Sequence, residues 1–305
     1  MKHLLLLFLV PFALFGQKQA SFTVLVSEAK LYLEEYYKLA PFESDYYAIS
    51  NFRLTKQDLI ELRAKTIEAE AASKSPDSVE YYVMFEFLQE KITYRMDQIV
   101  KHSDFMKHDI EKLFTGSALD IKISDDKKLF NLSFDENTGG TYKSKISFVY
   151  FTDFVNTDSA TFDEFQMFFP SDGFEKAYTL TTDEGVKYVL TGMVQSCSLC
   201  FDSFVYLIKF SNNKFEQEFT YNLSNRDWED GVSYNHETKT IYVDYHLDDL
   251  TTFCQCTSEN EEIATTEEQA AEVEGSLCSC KYVFNGRNFD FVKTATQKQE
   301  VKDKE

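Results

Sequence analysis

The chain has 305 residues, with 51 acidic against 31 basic side chains and a formal net charge of −20. That balance argues against nucleic acid and anionic membrane surfaces as partners, because phosphate binding needs a clustered positive surface. The 29 Phe and 18 Tyr suffice for a large aromatic core and suit β structure, where flat side chains pack on a pleated face.

Met1-Lys2-His3, the apolar run Leu4–Phe15 and Gly16-Gln17 read as a secretory signal peptide over 1–16, with cleavage favoured after Gly16 and Ala20 as the second choice. The run is short for a membrane anchor and contains Pro11. No later segment approaches a span, so the expectation is an exported protein, periplasmic or extracellular, with no integral membrane segment after cleavage.

Residues 17–116 read as a helical N-terminal region. Phe22–Leu39 and Gln57–Ala72 carry apolar residues at helical spacing. From Val79, the series Met84, Leu88, Ile92, Met96 and Ile99 marks one face of a longer helix, with Ser75-Pro76-Asp77-Ser78 supplying a break and a cap before it. A short helix near Asp104–Phe114 ends at Gly116. The Tyr and Met residues on these faces are read as packing rather than as a ligand groove.

After Gly116 the period changes to two, as in Leu119/Ile121/Ile123, Val186/Tyr188/Leu190 and Ile241/Val243/Tyr245/Leu247. Turn signals separate the runs at Asp125-Asp126, Gly139-Gly140, Asp183-Glu184-Gly185, Asn212-Asn213 and Asn285-Gly286. The expected class is α+β, with an antiparallel all-β domain over 117–293 that could be a sandwich, a barrel or a small propeller. Two segments are expected to be disordered: 257–276, with seven glutamates and no basic residue, and the tail 294–305.

All six cysteines lie in the last third: Cys197/Cys200 as C-x-x-C, Cys254/Cys256 and Cys278/Cys280 as C-x-C. In an exported chain an even count favours structural disulfides. Residues i and i+2 of a strand share a face, so one antiparallel register sets Cys254 opposite Cys280 and Cys256 opposite Cys278, at the roughly 4.5–5.5 Å that bridges require. Cys197/Cys200 are expected at a hairpin tip, with a local bridge. The alternative is zinc on thiolates drawn from Cys197, Cys200, Cys254, Cys256, Cys278 and Cys280, or thiol-redox chemistry at the C-x-x-C. The strand-like flanks count against the redox form, which usually places the motif at a helix N-terminus.

Tyr242, Asp244, His246 and Asp248 alternate along one strand face. Asp244, His246 and Asp248 could bind a metal or act in acid–base chemistry, and the plainer reading is a half-exposed strand. His102, His108 and His236 have no evident partners in the sequence. Trp228, the only tryptophan, could stack on a sugar but is read as a core or turn residue. The chain has no nucleophile elbow, P-loop, dinucleotide fingerprint, H-E-x-x-H or EF-hand loop, so no catalytic residue is assigned.

Ser124-Asp125-Asp126-Lys127-Lys128-Leu129-Phe130, then Asp135-Glu136-Asn137-Thr138-Gly139-Gly140-Thr141, and the ending Tyr282-Val283-Phe284-Asn285-Gly286 form a pattern that resembles exported proteins of Bacteroidota. Phe134 stands where those proteins tend to carry Trp. The resemblance covers about 118–293 and implies an envelope location and a β domain, but no activity and no site residue. Together these features lead to the expectation of a non-enzymatic binding or envelope-associated module for a small ligand or an envelope partner.

Overall fold

A computed structural model describes residues 20–68, 77–137, 139–154, 173–248, 250, 254 and 277–292. The expected signal peptide, acidic loop 257–276 and tail 294–305 lie outside the described residues, as does Cys256. Among the described residues no helix is long and apolar enough to cross a membrane.

Helix α1 (Phe22–Tyr36) turns Leu25, Ala29, Tyr32, Leu33 and Tyr36 into the core, the spacing of a single helical stripe. It packs on α3 (Tyr81–Val100), whose Met84, Leu88, Ile92, Met96 and Ile99 are all buried, as the periodicity predicts. Between them in the chain comes α2 (Lys56–Glu68), which also contacts α3. Thr55 caps it in a reciprocal box: its amide donates to Asp58 Oδ2 at 3.0 Å, and the Asp58 amide donates to Thr55 Oγ1 at 3.1 Å. Asp58 also accepts from the Tyr32 hydroxyl at 3.0 Å and pairs with Lys91 Nζ at 2.9 Å, so one carboxylate fastens three helices.

The expected cap before α3 is not present. Ser78–Glu80 form strand β2, paired antiparallel with β1 (Tyr46–Ala48), and Glu80 precedes α3 without a side-chain cap. Three-residue strands are too short to show a period of two in sequence. The short helix expected near Asp104–Phe114 divides into a 3-10 turn at Phe105–Lys107 and α4 (Ile110–Leu113), and Gly116 follows at φ +78°.

The rest is antiparallel. Strands β3 (Asp120–Ile123), β4 (Leu129–Asp135) and β5 (Lys145–Phe151) form one sheet. A second is the meander β6 (Lys176–Thr182), β7 (Gly185–Cys197), β8 (Cys200–Ser211) and β9 (Lys214–Asn225). A third is the meander β10 (Gly231–Asn235), β11 (Thr240–His246), β12 (Leu277–Phe284) and β13 (Phe289–Val292). The β8–β9 turn uses Asn212 and Asn213 at φ +51° and +59°, the twist that a two-residue hairpin demands. The Asn285-Gly286 turn spans four residues between β12 and β13, closed by the Asn285 amide on the Asn288 carbonyl at 2.9 Å.

The β6–β9 sheet is buried on both faces. Tyr188, Leu190, Phe204 and Ile208 join a core shared with the helices and β3–β5, while Val189, Val205, Leu207 and Leu223 join a second core with β10–β13. The first core runs unbroken across residue 116, from Leu25 and Leu88 to Phe130 and Tyr188. The fold is therefore mixed α+β with a β-dominated body.

Candidate functional site

The β4–β5 turn, the Asp135–Thr141 motif, is where the helices grip the sheet. The Tyr36 hydroxyl donates to the Glu136 carbonyl, the Asp135 amide donates to the Tyr37 hydroxyl at 2.9 Å, and Asn137 Nδ2 donates to the Leu39 carbonyl at 2.8 Å. Burial makes ionisation of Tyr36 unfavourable, so its phenol stays a donor. Gly139 sits at φ +78°, and a Cβ there would lie 2.7 Å from Pro41 Cβ and 2.5 Å from the Phe42 ring. The motif thus has a structural reason: backbone close enough to seat Pro41-Phe42.

Beside this junction opens a cavity of about 500 Å³ lined by Pro41, Phe42, Ser44, Asp45, Tyr46, Glu80, Tyr81, Tyr82 and Phe85. Phe42 is 86% exposed and takes φ +66°, a conformation a bulky residue adopts only where its surroundings impose it. Tyr81 and Tyr82 meet edge to face at 5.1 Å, and Tyr81 stacks on Phe85 at 5.4 Å. Tyr81 is fixed from behind by its hydroxyl on the Asn137 carbonyl at 3.3 Å and, by burial, is pushed up to about 12. Tyr82 remains exposed at the mouth. The arrangement offers aromatic faces and two carboxylates to one ligand. Tyr32, Tyr36, Met84 and Met96 pack in the core as expected, while Tyr81 and Tyr82 also line this cavity. The available signal was the density of Tyr46-Tyr47 and Tyr81-Tyr82, which helical periodicity alone does not assign to a pocket.

The cysteine region departs from the expected ladder. Cys278 and Cys280 do share the buried face of β12, but β11 holds the place of their antiparallel neighbour, with Cys278 opposite Tyr245 and Cys280 opposite Val243. Cys254 lies in no strand, and its bridge goes to Cys278 with Cα atoms 5.4 Å apart. The expected Cys254–Cys280 and Cys256–Cys278 pairs are replaced, because Cys254 reaches β12 from outside any strand and bridges Cys278. Cys280 is also disulfide-bonded. The sulfurs of Cys254, Cys278 and Cys280 lie within 4.8 Å of one another.

Cys197 and Cys200 face each other across the two-residue tip of the β7–β8 hairpin and are bridged, as expected, with Cα atoms 4.6 Å apart. Among the described residues they do not belong to the sulfur group of Cys254, Cys278 and Cys280. Arg226, at the end of β9, places Nη1 3.4 Å from Cys200 Sγ and 4.0 Å from Cys197 Sγ.

The polar face of β11 is a half-exposed strand, with Ile241, Val243, Tyr245 and Leu247 buried behind it. Its members turn to separate partners. Asp244 accepts from Ser279 Oγ at 2.5 Å, His246 Nδ1 lies 2.9 Å from Asp230, and Asp248 accepts the Arg226 amide at 3.1 Å. Among the described residues Asp244, His246 and Asp248 do not converge as metal ligands. His108 stacks on Phe22 at 4.9 Å and His236 on Tyr178 at 5.1 Å, aromatic contacts that sequence spacing does not reveal. Trp228 is 63% exposed in the β9–β10 turn, so its expected core role is excluded and the turn role remains.

Comparison with family models, with curated proteins and with solved structures finds no match to this chain.

Proposed function

We propose that this is an exported, non-enzymatic binding module whose ligand enters the cavity beside Phe42. The cavity itself carries the reading: five aromatic rings and two carboxylates around about 500 Å³, held by a strained Phe42 backbone. A flat, partly apolar ligand bearing a cationic or hydrogen-bond-donating group fits that lining, since ring faces attract cations and carboxylates accept their protons. The signal-like N-terminus and the bridged cysteines support export, and the exported proteins of Bacteroidota that the chain resembles would share its envelope location. The core between β6–β9 and β10–β13 supports a sandwich over a barrel or propeller.

A panel of arylalkylamines titrated by NMR tests the reading. At least one member should bind saturably, and Tyr82→Ala should weaken it about tenfold, the order of one lost cation–π contact with its burial. Equal binding by the variant, no binding by any member, or hydrolytic turnover abolished by one point substitution would reject it.

The sulfur group supports a second reading, zinc held by Cys254, Cys278 and Cys280 in a reduced protein, since three thiolates this close suit a tetrahedral ion. Oxidation and ligation exclude each other at these atoms. Protein purified from the periplasm should give no free thiols, no stoichiometric zinc and a Cys254–Cys278 peptide. Free thiols with bound zinc would select the metal reading.

A further inference from the structure

The bridge at the β7–β8 tip does little for the fold. Its two cysteines are only three residues apart, and the hairpin is already held by ladder pairs such as Gln195↔Phe201 and Val194↔Asp202. A disulfide stabilises chiefly by closing loops in the unfolded chain, and a loop this short gives it the least to close. Its setting also differs from that of Cys278 and Cys280, which are 3% and 1% exposed. Cys197 and Cys200 are both part-exposed at a tip where Leu199 is open to solvent.

Arg226 adds the chemistry. A guanidinium gains little from a neutral disulfide but a charge-assisted contact from a thiolate. It is not symmetric between the sulfurs, lying 3.4 Å from Cys200 Sγ and 4.0 Å from Cys197 Sγ. Strand pairing fixes this placement, because Phe201 opposite Asn225 brings the residue that follows β9 beside Cys200. The role that a helix N-terminus plays in other C-x-x-C sites is here available from one side chain.

We propose that Cys197 and Cys200 form a thiol–disulfide exchange site that oxidises dithiols, with Cys200 as the leaving sulfur and Arg226 as the positioning residue that holds its thiolate. One thiolate of the dithiol attacks Cys197 Sγ. A new S–S bond forms there, the Cys197–Cys200 bond breaks, and its electron pair leaves on Cys200 beside Arg226. The second thiol of the same dithiol loses its proton to solvent and displaces Cys197 from the mixed disulfide. The departing pair goes to Cys197, which takes a proton from solvent. The dithiol becomes a disulfide, the protein pair gains two electrons, and the second proton stays in solvent while Cys200 remains a thiolate. Leaving through the better-stabilised sulfur is the faster route in such exchange. The site is separate from the aromatic cavity, so either proposal can fail without the other.

The test uses the full mature chain in glutathione redox buffers, trapped with iodoacetamide and mapped by peptide mass. Cys197–Cys200 should reduce while Cys254–Cys278 stays oxidised, and dithiothreitol should be consumed at one equivalent per chain under conditions that leave Cys254–Cys278 intact. Arg226→Gln should shift the equilibrium about tenfold against reduction, about 30 mV for a two-electron couple, and should slow alkylation of Cys200 more than of Cys197. Arg226→Lys should restore most of both effects, and circular dichroism should confirm that each variant is folded. A Cys197–Cys200 bridge that resists reduction to below about −300 mV, as structural disulfides do, would overturn the proposal. So would an Arg226→Gln protein with unchanged equilibrium and alkylation rates.

Discussion

Lys187→Ala should lower the unfolding free energy by about 3 kcal/mol, the lower part of the range for removing one partner of a buried ion pair. Lys187 sits on β7 with no exposed surface, where its aliphatic neighbours would ordinarily be joined by another apolar residue. Its ammonium reaches Glu184 at 2.9 Å, Glu218 at 2.7 Å and the Arg287 carbonyl at 2.7 Å. Burial opposes the charge, but Glu218 and Glu184 outweigh it and hold the ammonium above its ordinary pKa. The Arg287 carbonyl belongs to the β12–β13 turn, so this one side chain latches the β6–β9 sheet to its neighbour. Alanine removes the cation from Glu218, leaves that carbonyl without its donor and opens a cavity. Both carboxylates keep partial solvent access, which is why the lower part of the range applies. Urea unfolding should show a lower midpoint with an unchanged slope. Lys187→Met, which restores volume but not charge, should recover only part of the loss. Full recovery by methionine would mean that packing, not the ion pair, carries the energy.

Lys187 also marks where sequence patterning stops being informative. Val186, Tyr188 and Leu190 share one face of β7, as their alternation predicts, but Tyr188, Val189 and Leu190 are all buried because the sheet has a core on each side. A strand buried on both faces loses the alternation from which burial is read. The α3 stripe and the Ile241–Leu247 alternation were legible for the opposite reason: each element buries one face only. The β1–β2 ribbon was not, since three residues per strand cannot establish a period. The cysteines divide the same way. The Cys197–Cys200 bridge follows from a local turn that sequence can locate, and the shared face of Cys278 and Cys280 follows from strand geometry. Which sulfur Cys254 meets depends on where the chain brings it back to β12 outside any strand, a tertiary fact. Arg226 and the Phe42 cavity are likewise products of register and docking, with residues distant in the chain brought together by the β8–β9 pairing and by the Asp135–Thr141 turn.

Acid should unfold this protein along a limb set by paired carboxylates, with the steepest loss between about pH 4.5 and pH 2. Glu35 is fully buried; burial alone would raise its pKa, but hydrogen bonds from Lys38 and Arg53 outweigh that and hold it below the ordinary 4.5. Asp58 behaves alike, with burial opposed by Thr55 and Lys91, and Asp120 likewise, opposed by Lys122 and Lys145. Arg287, then Lys187, lower Glu184 to about 2. A carboxyl with a depressed folded-state pKa contributes stability that is fully present above its unfolded pKa. That contribution is lost as pH falls through the folded value, because the unfolded chain then binds protons that the native state refuses. Tm should accordingly be nearly flat from pH 7 to 5 and then fall steeply. Glu35→Gln separates this group from the rest. At pH 7 it should cost about 2 kcal/mol, the scale of hydrogen bonds to a charged group, since the Arg53 amide and guanidinium and Lys38 all donate to this carboxylate. Because glutamine does not titrate, the gap between variant and parent should narrow as pH falls through the limb. A gap that stays constant with pH would assign the loss to shape rather than to the Glu35 charge.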